Sequence, residues 1–135
     1  MISVEEILSD IRSDRTKKVI LDTDTYNEID DQYALAYCYL SDKIDLLSVN
    51  AAPFYNDRSE GYEDGMLKSY DEIHKVLGLV DPDYRTPVYH GSRTTIEASG
   101  AAVDSEAARN IINTVHASDE TVYVLAIGAI TNVAS

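Results

Sequence analysis

This chain is poor in cysteine and in basic charge. Cys38 is the single cysteine, which excludes an intrachain disulfide and a thiolate metal cluster. Set among Ala36, Tyr37, Tyr39 and Leu40, it reads as an inert core residue. Lysine and arginine number 11 against 24 aspartates and glutamates, for a net charge of −13. So acidic a surface repels polyanions, which argues against a nucleic-acid or anionic-membrane partner. No apolar run approaches the ~20 residues needed to span a bilayer. The N-terminus also lacks the basic, apolar, small-residue order of a secretory leader. These absences predict a cytoplasmic protein whose ligand is neutral or cationic, or is held through a metal. With 135 residues and 44% hydrophobic content, one domain with a real core is expected.

Apolar spacing sets the expected order of elements. Val4, Ile7, Leu8 and Ile11 predict a short amphipathic helix within an N-terminal extension, residues 1–16. Lys17 to Leu21 reads as a strand buried on both faces. Asp31 to Leu40 reads as a helix, apolar nearly all round and so sandwiched. Ile44 to Ala52 is a second strand closed by Pro53. Phe54 to Gly65 reads as an acidic loop, with Glu60 to Asp64 solvated. Met66 to Leu77 returns to helical spacing, with Gly78 as its cap. Thr86 to His90 is a short strand, and Gly91 to Gly100 a polar loop. Ala107, Ile111, Ile112 and Val115 mark another helix, and Thr121 to Ile127 a last buried strand. Strands and helices alternate throughout, without internal repeats. That order predicts the α/β class: a doubly wound, mostly parallel sheet with helices on both faces.

The chemistry concentrates after the first strand. Val19-Ile-Leu-Asp-Thr-Asp-Thr-Tyr-Asn-Glu-Ile-Asp-Asp31 ends an apolar run in Asp22, Asp24, Asp30 and Asp31. Four like charges so close repel one another, and a hard divalent cation with oxygen ligands is the natural compensation. Asp22 and Asp24 are two apart, so in extended backbone they share a side. Asp30 and Asp31 open a helix, where its dipole favours negative charge. A fold-back of Thr25 to Ile29 brings Asp31 beside Asp24 and leaves Asp30 free for a substrate hydroxyl. Simple capping needs only one acid, so it does not account for the cluster. The spacing is not an EF-hand: the twelfth position, counted from Asp22 or Asp24, is Tyr33 or Leu35 instead of glutamate. Asn50 to Asn56 and Gly128-Ala-Ile-Thr-Asn132 follow the second and last strands, and the three strand ends can meet at one rim.

These residues resemble the N-terminal part of the inosine/uridine-type nucleoside N-ribohydrolases. That family's signature is an apolar strand followed by D-x-D-P-G-x-D-D. Asp22-Thr-Asp24 matches its opening pair and Asp30-Asp31 its closing pair. Thr25-Tyr-Asn-Glu-Ile29 replaces the shorter Pro-Gly-x segment, an insertion that changes the path of the loop but not the order of acids. Val124-Leu-Ala-Ile-Gly-Ala-Ile-Thr-Asn-Val-Ala134 resembles the family's G-P-L-T-N-hydrophobic-A segment. Asn56 falls near an asparagine that follows the family's second strand.

The resemblance implies Ca²⁺-dependent hydrolysis of the N-glycosidic bond of a ribonucleoside, giving ribose and free base. It makes Asp24 and Asp31 calcium ligands through their carboxylates, and Ile127 a ligand through its carbonyl. Asp24 is also the catalytic base toward water. Asp30 and Asn56 bind substrate, and Asp22 supports from behind. The resemblance further implies that residues 1–135 are the N-terminal portion of one longer domain, incomplete at its C-terminus. Little or no activity is then expected of the isolated chain, and a homo-oligomer is an open expectation. His90 alone of the three histidines stands at a strand end where it could touch a site; His74 and His116 read as surface residues.

Two other readings stay open. Val19-Ile-Leu-Asp-Thr-Asp-Thr25 also approaches the D-x-D-x-T motif of haloacid-dehalogenase-type phosphatases. There Asp22 is the nucleophile, Asp24 the general acid and Mg²⁺ the cofactor. That pattern gives Asp30-Asp31 and Gly128 to Ala134 no purpose. The chain could instead be a non-catalytic calcium- or nucleoside-binding fragment. Phosphate release and ribose release separate the three.

Overall fold

The computed structural model describes residues 3–135. α1 (Val4–Arg12) precedes β1 (Lys17–Thr23), and α2 (Ile29–Leu40) leads to β2 (Ile44–Ala51). α3 (Tyr62–Val80) leads to β3 (Val88–Tyr89). The short α4 (Ile96–Ser99) and α5 (Glu106–Ala117) lead to β4 (Val122–Ala126), and the chain turns into α6 (Thr131–Ala134). The strands form one parallel sheet in the order β3-β2-β1-β4. This is an α/β fold.

Strand parity divides the sheet into two faces. Leu21 and Val49 point into a core with Leu35 and Cys38 of α2 and Met66, Ile73, Val76 and Leu77 of α3. Their alternates Asp22, Ser48 and Asn50 point the other way. There Asn110 of α5 donates from Nδ2 to Ser48 Oγ (2.7 Å) and Asn50 Oδ1 (3.2 Å). Helices therefore lie on both faces. Cys38 is buried in the core, as its neighbours in sequence suggest.

The N-terminal helix forms as expected, and its start is chemically fixed. Ser3 Oγ accepts from Glu6 N while Ser3 N donates to Glu6 Oε2, a reciprocal capping box. Asp10 holds α1 to the body, accepting from Arg15 Nε (2.8 Å) and from Tyr123 OH on β4 (2.6 Å).

Several expectations are corrected. α2 is not sandwiched: Tyr33, Tyr37 and Leu40 are about 70% exposed, because α3 covers only its inner side. Gly78 does not cap α3, which continues to Val80 and closes with Asp81 N donating to Leu77 O (2.8 Å). The acidic loop is shorter than expected. Glu63 and Asp64 lie in the first turn of α3, where Asp64 Oδ2 accepts from Glu60 N (2.9 Å). Within the expected polar loop, Thr95 caps the one-turn α4. β4 is only half-buried because it is the outer strand beside β1, with Leu125 on the surface. His74 is half-buried and bonded to Tyr84 OH, whereas His116 is exposed. Among the described residues, no helix is long and apolar enough to cross a membrane.

Candidate functional site

The sheet order places a topological switch between β1 and β4. From β1 the chain winds outward through β2 and β3, then returns to the opposite side of β1. Loops diverge at such a point and leave a crevice beyond the carboxyl ends of the two strands. Asp22 and Asp24 stand at the end of β1, and Ile127 and Gly128 at the end of β4. The two ends meet closely: Ile127 N donates to Asp22 O (2.9 Å). A Cβ added to Gly128 would stand 2.7 Å from Asp24 Oδ1, so a side chain there would have to displace that carboxylate.

Asp22 lies on the α5 side of β1 and is fully buried. Its Oδ2 accepts from Asn132 Nδ2 (3.0 Å), while Oδ1 has no hydrogen-bond partner. Burial pushes its carboxyl up to about 7, against the lowering influence of Asn132 and Asn50; the charge of Asp24 raises it further. Asn50 is its register neighbour on β2, yet Asn50 Nδ2 also lacks a partner. The two side chains thus feel each other electrostatically without forming a hydrogen bond of normal geometry.

Asp24 and Asp31 are both nearly buried at the crevice. Thr23, facing α2 by parity, donates from Oγ1 to Asp31 Oδ1 and also bonds Thr25 Oγ1 (2.9 Å). Burial raises the Asp31 carboxyl to about 6 despite Thr23, and the charges of Asp24, Asp30 and Glu28 add to the shift. Burial likewise raises Asp24, opposed by a hydrogen bond from Asn27 and assisted by Glu28 and Asp30. Asp31 thus feels the charge of Asp24. Asp30, one position earlier on α2, is exposed, so the adjacent acids do separate into an inner and an outer one.

Asn56 is exposed and joins the site indirectly. Its Nδ2 donates to Asn27 Oδ1 (2.6 Å), and Asn27 Nδ2 donates to Asp24 Oδ2 (2.9 Å). Asn56 Oδ1 accepts from Arg58 N (2.9 Å). His90 stands at the rim but turns from the aspartates: it stacks on Tyr70 (3.8 Å between centroids) and pairs with Glu106.

No family model, curated protein or solved structure matches this chain.

The residues themselves must therefore say what the crevice can hold. None of the ion pairs among the described residues reaches Asp22, Asp24, Asp30 or Asp31. Buried carboxylates without a basic partner are stabilised by protons or by a cation. Carboxylate and carbonyl oxygens are the donors a hard cation takes. Among the described residues, no group of three or more acids, histidines or cysteines is placed to hold a metal ion. The carboxylates of Asp24 and Asp31 are of the donor type that Ca²⁺ takes, and Ca²⁺ takes six to eight oxygen ligands. A cleft of about 860 Å³ between α5 and the sheet, lined by Lys18, Tyr89 and Arg109, contains none of these acids. Chemistry at the strand ends, more than volume, selects the site.

Asn27, Asn132 and Thr23 are the contributors that the motif did not reveal. Thr23 was accessible from parity, since the residue between two same-side aspartates must face the helix carrying Asp31. Asn132 lies in the Gly128–Ala134 segment, but its partners are remote in sequence. Asn27 lies in the Thr25 to Ile29 segment between the two acid pairs, and nothing in its own spacing announces a partner.

Proposed function

We propose that this chain carries the nucleoside-binding and cation-binding half of a Ca²⁺-dependent nucleoside N-ribohydrolase site. The observation that carries the reading is the pair of buried carboxylates, Asp24 and Asp31, which have no ion-pair partner among the described residues and stand by the switch point between β1 and β4. Asp24, Asp31 and the Ile127 carbonyl are the groups that would hold Ca²⁺. When bound, the cation supplies oxygen-coordination sites for vicinal hydroxyls and acidifies a water. Asp24 accepts the proton from the attacking water, a role suited to a carboxyl raised from its usual range by burial. The exposed Asp30 takes a ribose hydroxyl, and Asn56 lines the approach through Asn27. As the base departs, positive charge develops on the ribosyl group, and the carboxylates around it stabilise that charge.

The phosphatase alternative asks Asp22 to attack a phosphorus atom. Asp22 is fully buried beneath Asn132, so it offers no path to an incoming phosphate. A supporting role behind Asp24 suits it better.

Calorimetric titration with Ca²⁺ tests the proposal, using the chain and the double variant Asp24→Asn/Asp31→Asn. Binding by the parent and none by the variant supports the reading, and ribose release from mixed nucleosides extends it to catalysis. Absence of calcium binding by the parent removes its basis. Mg²⁺-dependent phosphate release from an aryl phosphate would transfer the site to the rival chemistry.

A further inference from the structure

The inserted turn between the two acid pairs does more than lengthen the loop. Asn27 closes it by donating its N–H to Asp24 O (2.7 Å), and its side chain returns to the same residue through Nδ2 and Asp24 Oδ2 (2.9 Å). Its other polar groups are also engaged. Oδ1 accepts from Asn56 Nδ2 (2.6 Å), and its carbonyl accepts from the Arg58 guanidinium. Arg58 is itself tied to α3, because its carbonyl accepts from Lys68 Nζ (3.0 Å). Asn27 thus joins the end of β1 to the loop after β2 and, through it, to α3.

A short carboxylate side chain beside a crevice has freedom to rotate unless something fixes it. The chain at Gly128 passes so near Oδ1 that an added Cβ would meet it at 2.7 Å, and Asn27 holds Oδ2. An amide N–H to a charged acceptor is among the stronger neutral-to-ion hydrogen bonds, and its direction selects one rotamer. We propose that Asn27 is the positioning residue for Asp24, working as a strap that aims its carboxylate and couples that aim to Asn56. The inference rests on the reading of Asp24 as ligand and base, and assigns its orientation to the insert. Asn56 then serves the site first by bracing Asn27.

Two measurements on the full chain test it. The first uses NMR on the metal-free protein, following the Asp24 carboxyl carbon and the Asn27 side-chain amide. Asn27→Ala should move the Asp24 signal, and Asn56→Ala should move the Asn27 amide. An Asp24 signal unchanged in Asn27→Ala overturns the strap. The second is Ca²⁺ calorimetry on the parent, Asn27→Ala, Asn56→Ala and the double variant, with thermal midpoints alongside. Loss of a ligand's hydrogen-bonded support costs roughly ten- to hundredfold in metal affinity. Asn27→Ala should show a loss of that order with little change in midpoint. Asn56→Ala should show a smaller loss, absorbed into that of Asn27→Ala in the double variant. Equal affinity in parent and Asn27→Ala, or losses that simply add, overturns it. A parent that binds no calcium sinks the hydrolase reading, and the NMR result still decides whether Asn27 positions Asp24.

Discussion

Asn132 Nδ2 lies 3.0 Å from Asp22 Oδ2, joining the start of α6 to the end of β1 across 110 residues of sequence. The same amide nitrogen donates to Ala51 O (3.2 Å), and Asn132 Oδ1 accepts from Ser92 N (2.7 Å) and Ser92 Oγ (2.8 Å). One buried side chain therefore binds the ends of β1 and β2 and the segment after β3 into a single rim. Asn132→Ala should remove these bonds and leave Asp22 without its one donor. A buried carboxyl stripped of its partner costs about 2–3 kcal/mol. Urea unfolding should show a loss of that size, and a loss within ~0.5 kcal/mol, typical of a surface change, would show that the rim does not depend on Asn132.

The acids predict an unusual pH dependence of stability. Asp22 titrates at about 7 and Asp31 at about 6 in the folded chain, and Asp24 is also raised. An unfolded aspartate titrates near ~3.9. Between those values the folded state retains protons that the unfolded state has released. The contribution of these groups is therefore fully favourable below about pH 4 and declines as pH rises to about 7. Urea midpoints in the presence of chelator should fall over that window, and Asp22→Asn should remove the part of the slope reaching pH 7. A midpoint that rises steadily from about pH 4 to 7 would contradict the assignment of raised values.

Ca²⁺ should change that slope through Asp24 and Asp31. A cation on their carboxylates favours the ionised forms, so its stabilising effect grows as protons leave. Thermal midpoints should rise more on adding Ca²⁺ at about pH 7 than at about pH 5. An equal rise at both values would place the ion elsewhere on this acidic surface.

Legibility in the sequence followed the range of the interactions. The apolar run Val19 to Leu21 announces a strand buried on both faces, and the structure buries it in mid-sheet. The alternation of strands and helices was enough for a parallel α/β sheet, because each element carries its own periodicity. The meeting of strand ends followed from the same topology. The outer side of α2 was misread because tyrosine is apolar in a pattern yet tolerates water through its hydroxyl. Gly78 was misread as a stop because a helix held by Ile73, Val76 and Leu77 tolerates a glycine in its last turn. Asn27 and Asn132 were illegible as partners because their bonds depend on a turn and on remote strands.

The exposed face of α2 gives a direct check on that correction. Tyr37→Ser replaces a side chain on a residue that is 69% exposed, and should change stability by less than ~0.5 kcal/mol. Leu35→Ala on the inner side, at 0% exposure among Cys38, Ile73 and Leu77, should cost about 2–5 kcal/mol. Comparable losses for the two variants, measured by urea unfolding, would mean that both sides of α2 are packed.

Gly128 gives the sharpest test of how β4 meets the acids. A methyl group there would press on Asp24 Oδ1 at 2.7 Å and on Asp24 N at 3.1 Å. The carboxylate cannot swing away without breaking its bond to Asn27. Gly128→Ala should therefore cost about 1–3 kcal/mol of stability, as overpacking does. It should also weaken Ca²⁺ binding by roughly tenfold or more, through displacement of a ligand. Ala129→Gly, next in the same turn, controls for loosening of the chain without pressing on Asp24. If Gly128→Ala binds Ca²⁺ as tightly as the parent, then Asp24 either is not a ligand or does not depend on the close approach of β4.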